Sequence, residues 1–330
     1  MSGEVVILAT PIYGTGLPQP VVDRIESLGN VRVVPLSRDG VVHADAEVAL
    51  EAAEVLLRSG VPGSMLDHLL SRTPHLRWIH SASAGVDQVA TPTVRSRGIT
   101  VTNSRGVFSR PIAEYVVMML LAIAHRLPQL LELQRERTWQ PLRGTELGGR
   151  TVGILGYGSI GSEIAGLLEP FGTRVLATRR RPQLGAGDRT NVEIFGDDAM
   201  DRVLGESDVV VLTAPLTDDT AGMIGGPQLQ AMRESAWLIN IARGRLVDET
   251  ALRRALENGW IAGAVLDVFN EEPLPADSPV YATPNLIVTP HTSWSSDRVV
   301  ERGIELFEGN LRRYLAGEPL VNVVDLEAGY

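Results

Sequence analysis

Three side chains stand where apolar runs give way to loops. Arg243 lies in NIARGRLVDE, Glu272 in LDVFNEEPLP and His291 in TPHTSWSS, and each stretch follows a run that reads as a buried strand. A histidine can give or take a proton near neutral pH, an arginine is a fixed cation with a fork of donors, and a carboxylate can hold the histidine's tautomer. Any one of these loops could be a bland connection. Together they suit hydride transfer to a carbonyl, which needs a proton donor, a cation for the substrate and a group that orients the donor. His43, His68, His75, His80 and His125 have no such company and read as structural.

A second constellation lies upstream. The run TVGILGYGSIG places Gly156, Gly158 and Gly161 between a short β-branched strand over 151–155 and a helix over 159–171. The first glycine permits a tight turn, the second lets the backbone approach a pyrophosphate, and the third lets the helix pack closely on the strand. The helix N-terminus would then face the phosphates with unpaired N–H groups and partial positive charge. A next strand over 174–178 completes the β-α-β context that a dinucleotide site requires. An NAD site usually carries an acid about 20 residues past the glycines. Here Arg179, Arg180 and Arg181 occupy the region instead. Guanidinium groups suit a 2′-phosphate and cannot accept from a ribose hydroxyl, so NADP(H) is expected over NAD(H); the bland alternative is a solvated basic loop.

Composition bounds what these residues can belong to. The 330-residue chain is long for one compact domain and comfortable for two, and 44% apolar residues give ample material for cores. A formal charge of −10 argues against general affinity for nucleic acid or anionic membranes. Cysteine is absent, as is lysine, since all 30 basic residues are arginine; this excludes disulfides, thiolate nucleophiles, zinc–thiolate sites and lysine Schiff bases. No metal site is expected. The N-terminus has a short apolar run without a basic flank, and no stretch is apolar enough to span a bilayer, so a cytoplasmic location is expected.

The elements that must position these residues alternate along the chain. Strands are expected over 4–9, 31–36, 76–81 and 99–103, and residues 47–59 read as a helix fragment leading into a strand near 55–58. Between them lie helices over 18–28 and 62–71, so the first hundred residues form a small parallel α/β unit. The loop SASAGVDQ over 81–88 is rich in small residues, and suits either a backbone cradle for a carboxylate or a simple tight connection. A long apolar helical pattern over 110–137, kinked or divided by Pro128, is expected to be buried in part against a second copy of the chain. Further strands over 208–212, 237–241, 264–269 and 286–289 complete a doubly wound domain whose ligands should lie at the strands' carboxyl ends.

These motifs, in order, resemble the D-isomer-specific 2-hydroxyacid dehydrogenases, the family of phosphoglycerate dehydrogenase and glyoxylate/hydroxypyruvate reductase. The matching pieces are SAGVD, GYGSIG, APLTDDT, NIARGRLVDETAL, AGAVLDVFNEEPLP and TPH. The resemblance implies a Rossmann-type cofactor domain, about 106–289, inserted in a smaller flavodoxin-like substrate domain, 1–105 and 290–330. It implies that Arg243 binds the substrate's carboxylate and carbonyl, that His291 is the acid/base and that Glu272 pairs with it. Ser83, Ala84 and Gly85 would hold the substrate carboxylate, and Asp267 would contact the nicotinamide carboxamide. The other cofactor positions are Tyr157, Gly158, Ser159, Ile160, Arg179, Arg180, Ala214, Pro215, Thr220, Ile241 and Ala242. After His291 the family often has small residues, whereas Trp294 here can line the substrate pocket. The expected activity is reduction of a small 2-oxo acid by NADP(H) in a homodimer, with NAD(H) possible. The alternatives are an NAD-dependent phosphoglycerate-dehydrogenase-like enzyme and a dinucleotide-sensing corepressor.

Overall fold

The computed structural model describes residues 4–12, 16–37, 47–86, 88–182 and 190–327. Asp87 and His43, both noted above, lie outside the described residues. Two compact units emerge: Met1–Phe108 with Ser296–Tyr330, and Ser109–Ser295. Each boundary falls a few residues beyond the one expected, at the C-terminal side because the residues after His291 are tied to the second unit by hydrogen bonds described below.

In the first unit, β1 (Val5–Ala9), β2 (Val31–Pro35), β3 (Ala53–Arg58), β4 (Trp78–Ser81) and β5 (Thr100–Asn103) form one parallel sheet in the order β2-β1-β3-β4-β5. This is the flavodoxin-like winding, in which helices cover both faces and most strand residues are buried. The ambiguous stretch resolves as a helix, α2 (Glu47–Ala52), running directly into β3; it follows α1 (Gln19–Glu26). On one face Leu56, Ile79 and Val101 pack on Leu66, Leu69 and Leu70 of α3 (Gly63–Ser71), with α4 (Pro92–Ser96) beside it. The other face receives Ile25 of α1 and a C-terminal helix, Val299–Ala316, through Ile304, Phe307 and Leu311, spaced to share one side of that helix. Trp78 stacks between Phe307 and Tyr314, each ring centroid 5.4 Å away.

The second unit begins with α5 (Ser109–Ala124) and α6 (Leu127–Arg135). The bend of 63° between them sits at Arg126, whose φ is +56°, and Pro128 occupies the first turn of α6 instead of causing the break. Among the described residues no single helix is long and apolar enough to cross a membrane. Seven strands follow: β6 (Thr151–Leu155), β7 (Arg174–Thr178), β8 (Val192–Phe195), β9 (Val209–Leu212), β10 (Trp237–Asn240), β11 (Gly263–Leu266) and β12 (Leu286–Val288). Helices α7 (Ser159–Leu168), α8 (Met200–Glu206), α9 (Gly226–Ala231) and α10 (Glu249–Glu257) connect them. The order β12-β11-β10-β9-β6-β7-β8, all parallel, is the dinucleotide-binding winding with one strand added. Its direction reverses between β6 and β9, so the carboxyl ends of those two strands flank the place where a nucleotide would bind.

A polar chain runs through the core of the first unit. Trp78 Nε1 donates to Thr102 Oγ1 at 2.8 Å, and His80 Nδ1 lies 2.8 Å from the same oxygen. The hydroxyl proton of Thr102 is then left for Nδ1, which puts the ring proton on Nε2, 3.5 Å from Ser104 Oγ. Burial pushes the His80 pKa down from 6.5 to about 4. The stability contributed by the neutral ring is therefore present above pH 6.5, falls as the pH drops towards 4 and is gone below it. The expected loss is about 3 kcal/mol. Denaturant unfolding at neutral pH and near about pH 4, for wild type and His80→Asn, checks this. The variant should lose distinctly less, and parallel losses would mean that burial of this ring is not the source.

Candidate active site

The turn after β6 is built by glycine for two separate reasons. Gly156 has a φ of +103°, and a Cβ on it would lie 2.5 Å from the backbone of Ala214. The loops after β6 and β9 can therefore press together only at a glycine. Thr213 Oγ1 donates to Gly156 O at 2.7 Å, and Tyr157 N donates to Thr178 O at 2.7 Å, fixing the turn from both sides. Gly158 is the N-cap of α7, offers no side chain to cap it, and has open space where a Cβ would stand. The first N–H groups of α7, on Ser159 and Ile160, are thus left to an anion, and the helix dipole favours one. Gly161 lies against Ile154, where a Cβ would come within 3.0 Å. Thr220 Oγ1 accepts from Thr217 N at 2.8 Å and donates to Pro215 O at 2.7 Å, bracing the loop that also carries Ala214. Arg179 continues from β7, its N–H bonded to Phe195 O of β8 at 2.9 Å; its side chain is half-buried and that of Arg180 exposed. These residues fit a dinucleotide, with a cradle for its pyrophosphate and cations one strand away.

The residues expected to act on a substrate are joined by a continuous set of contacts. After β10, Asn240 braces the turn, donating from Nδ2 to Arg243 O at 2.9 Å and accepting from Ala242 N at 3.1 Å. Arg243 has extended backbone, and Nη1 donates to Ala242 O at 2.8 Å. The next residue, Gly244, touches backbone: a Cβ there would stand 2.0 Å from Phe269 C. Phe269 N in turn donates to Glu272 Oε1 at 2.9 Å, while Glu272 Oε2 lies 2.6 Å from His291 Nδ1. An ionised carboxylate only accepts, so Nδ1 carries a proton and Nε2 is the nitrogen left for a substrate. Both side chains are accessible, 43% for His291 and 34% for Glu272. The Glu272–Pro273 peptide is cis.

Asp267 and Trp294 also have partners within the chain. Asp267 is wholly buried, and its carboxylate accepts from Thr289 Oγ1 at 2.6 Å and from the N–H groups of Thr292 and Ser293, each at 2.9 Å. The carboxylate is thereby tied to the loop bearing His291. Trp294, read as a pocket wall, donates from Nε1 to His291 O at 2.8 Å. Neither role was legible in the sequence, because both depend on how residues 289–294 curl back over the end of β11. Ile241 is buried and Ala242 half-buried in the turn after β10.

In the first unit the loop after β4 is arranged as a donor site. The carbonyls of Ser83, Ala84 and Gly85 are taken by Ser104 N at 3.1 Å, Asn103 Nδ2 at 2.7 Å and Ser83 Oγ at 2.9 Å. With its acceptors engaged, the loop presents the N–H groups of Ala84 and Gly85, for which no acceptor is found among the described residues. No cluster of metal-ligating side chains occurs among the described residues.

Comparison with known proteins supplies an independent view. Residues 117–293 match the family described as D-isomer specific 2-hydroxyacid dehydrogenase, NAD binding domain. A glyoxylate reductase of Korarchaeum cryptofilum is 36% identical over 77% of this chain and 77% of its own. A glycerate dehydrogenase of Methylorubrum extorquens is 36% identical over 84% and 87%. The solved D-isomer specific 2-hydroxyacid dehydrogenase of Xanthobacter autotrophicus, in complex with NADPH and MES, aligns with a TM-score of 0.85 at 30% identity, covering all of both chains.

The contact of Gly244 with Phe269 yields a test of this architecture. A methyl group at Gly244 meets backbone atoms, which no side-chain rotation can relieve. Gly244→Ala is expected to cost more than about 2 kcal/mol and to reduce activity in step. Gly226→Ala, at a position with open space, is expected to cost little. Thermal unfolding of both variants measures the difference, and equal midpoints would show that the close approach is not required.

Proposed function

This chain belongs to the D-isomer specific 2-hydroxyacid dehydrogenases, and on that basis we propose that it reduces a small 2-oxo acid, of the glyoxylate or hydroxypyruvate kind, to the D-2-hydroxy acid with NADP(H). The observation that carries the reading is the His291–Glu272 pair at 2.6 Å, joined through Phe269 to the Arg243 turn. Residues 156–160 and the strand-end loops would hold the cofactor, which when bound would supply the hydride. His291 gives a proton from Nε2 to the carbonyl oxygen as negative charge develops there. Arg243, a permanent cation, orients the substrate's carboxylate and stabilises that charge. Glu272 keeps Nδ1 protonated and so keeps Nε2 the working nitrogen, and it stabilises the imidazolium before transfer. The N–H groups of Ala84 and Gly85 are of a kind suited to a carboxylate oxygen.

NADP(H) is supported by Arg179 and Arg180 at the end of β7 and by the NADPH in the Xanthobacter relative; NAD(H) is a secondary cofactor. The purely binding role that the sequence left open is disfavoured by relatives named as reductases and dehydrogenases. The chain's negative charge supports the absence of nucleic acid and anionic membrane among its partners. Exposed Met118, Leu127, Leu130 and Leu131 on α5 and α6, with the fully exposed Trp139 beyond them, support a homodimer formed through this face. Sedimentation velocity should give a dimer for wild type and a monomer for Leu131→Glu, and a monomeric wild type would remove this part of the reading.

The activity is tested by turnover of a panel of 2-oxo acids with NADPH and NADH. Glyoxylate or hydroxypyruvate with NADPH should be the fastest combination. His291→Ala should lower kcat by about 10²–10⁴-fold while leaving NADPH binding intact. Arg179→Asp should abolish the preference for NADPH, as measured by fluorescence titration. Full turnover in His291→Ala would show that another group supplies the proton.

A further inference from the structure

His291 has a φ of +48°, the left-handed region that a non-glycine residue occupies only where its surroundings impose it. Its surroundings do so at several points. The His291 N–H donates to Asp267 O at 2.8 Å, its carbonyl accepts from Trp294 Nε1 at 2.8 Å, and the next two N–H groups reach the Asp267 carboxylate. That carboxylate is oriented by Thr289 Oγ1 at 2.6 Å, and Thr289 Oγ1 lies 2.6 Å from the hydroxyl of Tyr115. We propose that Tyr115, acting through Thr289 and Asp267, is a positioning residue that holds the proton-transferring His291 in register.

The hydrogen-bond polarity follows from the donor inventory. A carboxylate cannot donate, so Thr289 spends its single hydroxyl proton on Asp267. The bond between the two hydroxyls must then be donated by Tyr115. The phenol has to remain protonated for this, and burial together with the nearby Asp267 charge pushes its pKa up to about 12. Tyr115 is mounted rigidly, since Ile112, Val116, Met119 and Leu120 of the same helix are buried around it. The sequence gives this tyrosine the look of packing. Its hydroxyl is the outer end of a directed chain: Tyr115 to Thr289, Thr289 to Asp267, and Asp267 accepting from the two backbone N–H groups that follow the histidine.

The inference rests on the role given to His291 above, and its test separates the two. Tyr115→Phe retains the ring and removes only the donor. It should lower kcat by about three- to tenfold, leave KM for the 2-oxo acid and NADPH affinity within about twofold, and broaden the His291 imidazole nitrogen signals as the single tautomer gives way to a mixture. Thr289→Val should produce the same changes, Thr289→Ser should restore wild-type behaviour, and Tyr115→Phe combined with Thr289→Val should be no worse than Thr289→Val alone. Additive losses in the double variant, or unchanged imidazole signals in Tyr115→Phe, would overturn the proposal. The imidazole signals, assigned by their loss in His291→Ala, are read without substrate. They therefore decide this inference even if no 2-oxo acid is turned over.

Discussion

A carboxylate removed from water must be compensated by donors, and Asp267 has drawn in three of them. This requirement shapes the end of β11 and everything beyond it. The chain leaving β12 has to curl back so that the N–H groups of Thr292 and Ser293 reach Asp267, and the curl forces His291 into left-handed backbone. The same geometry sets the imidazole against Glu272, itself held by Phe269 N, and Phe269 is the residue that Gly244 must touch for Arg243 to take its place. The placement of His291, Glu272 and Arg243 thus follows from one buried carboxylate and the backbone it gathers.

The cofactor site follows from a different constraint, that of close approach. Two loops on either side of the point where strand order reverses can meet only if one offers no Cβ, and Gly156 is that residue. The unfilled N-cap of α7 then falls beside them. Here the sheet's winding decides where the ligand goes, and glycine decides how near it may come.

These two origins explain what could be read from the sequence. The glycine turn, the arginines after β7 and most of the strands were legible because turn chemistry and apolar runs are local signals. The proposed trio of Arg243, Glu272 and His291 could be picked out because each member sits at a strand end within a recognisable stretch. Strand β8, helices α4 and α9 and the C-terminal helix were not identified, since the first three are short and the last takes its meaning from a sheet far away in sequence. The bonds from Trp294 to His291 and between Tyr115 and Thr289 could not be read, because a side chain's hydrogen-bond partner is set by tertiary geometry. The bonds that Asp267 makes to residues 289–293 were hidden for the same reason.

The first unit is split around the second, and this has a consequence for biosynthesis. By the time residue 108 leaves the ribosome all five of its strands exist, but the cover for the Trp78 face is encoded some 190 residues later, in the helix carrying Phe307. The second unit is one uninterrupted stretch and can complete itself first. Until the helix arrives, the nascent sheet must keep an apolar face exposed, which is the condition chaperones recognise. The helix over 299–316 thus closes a sheet whose strands precede the whole second unit.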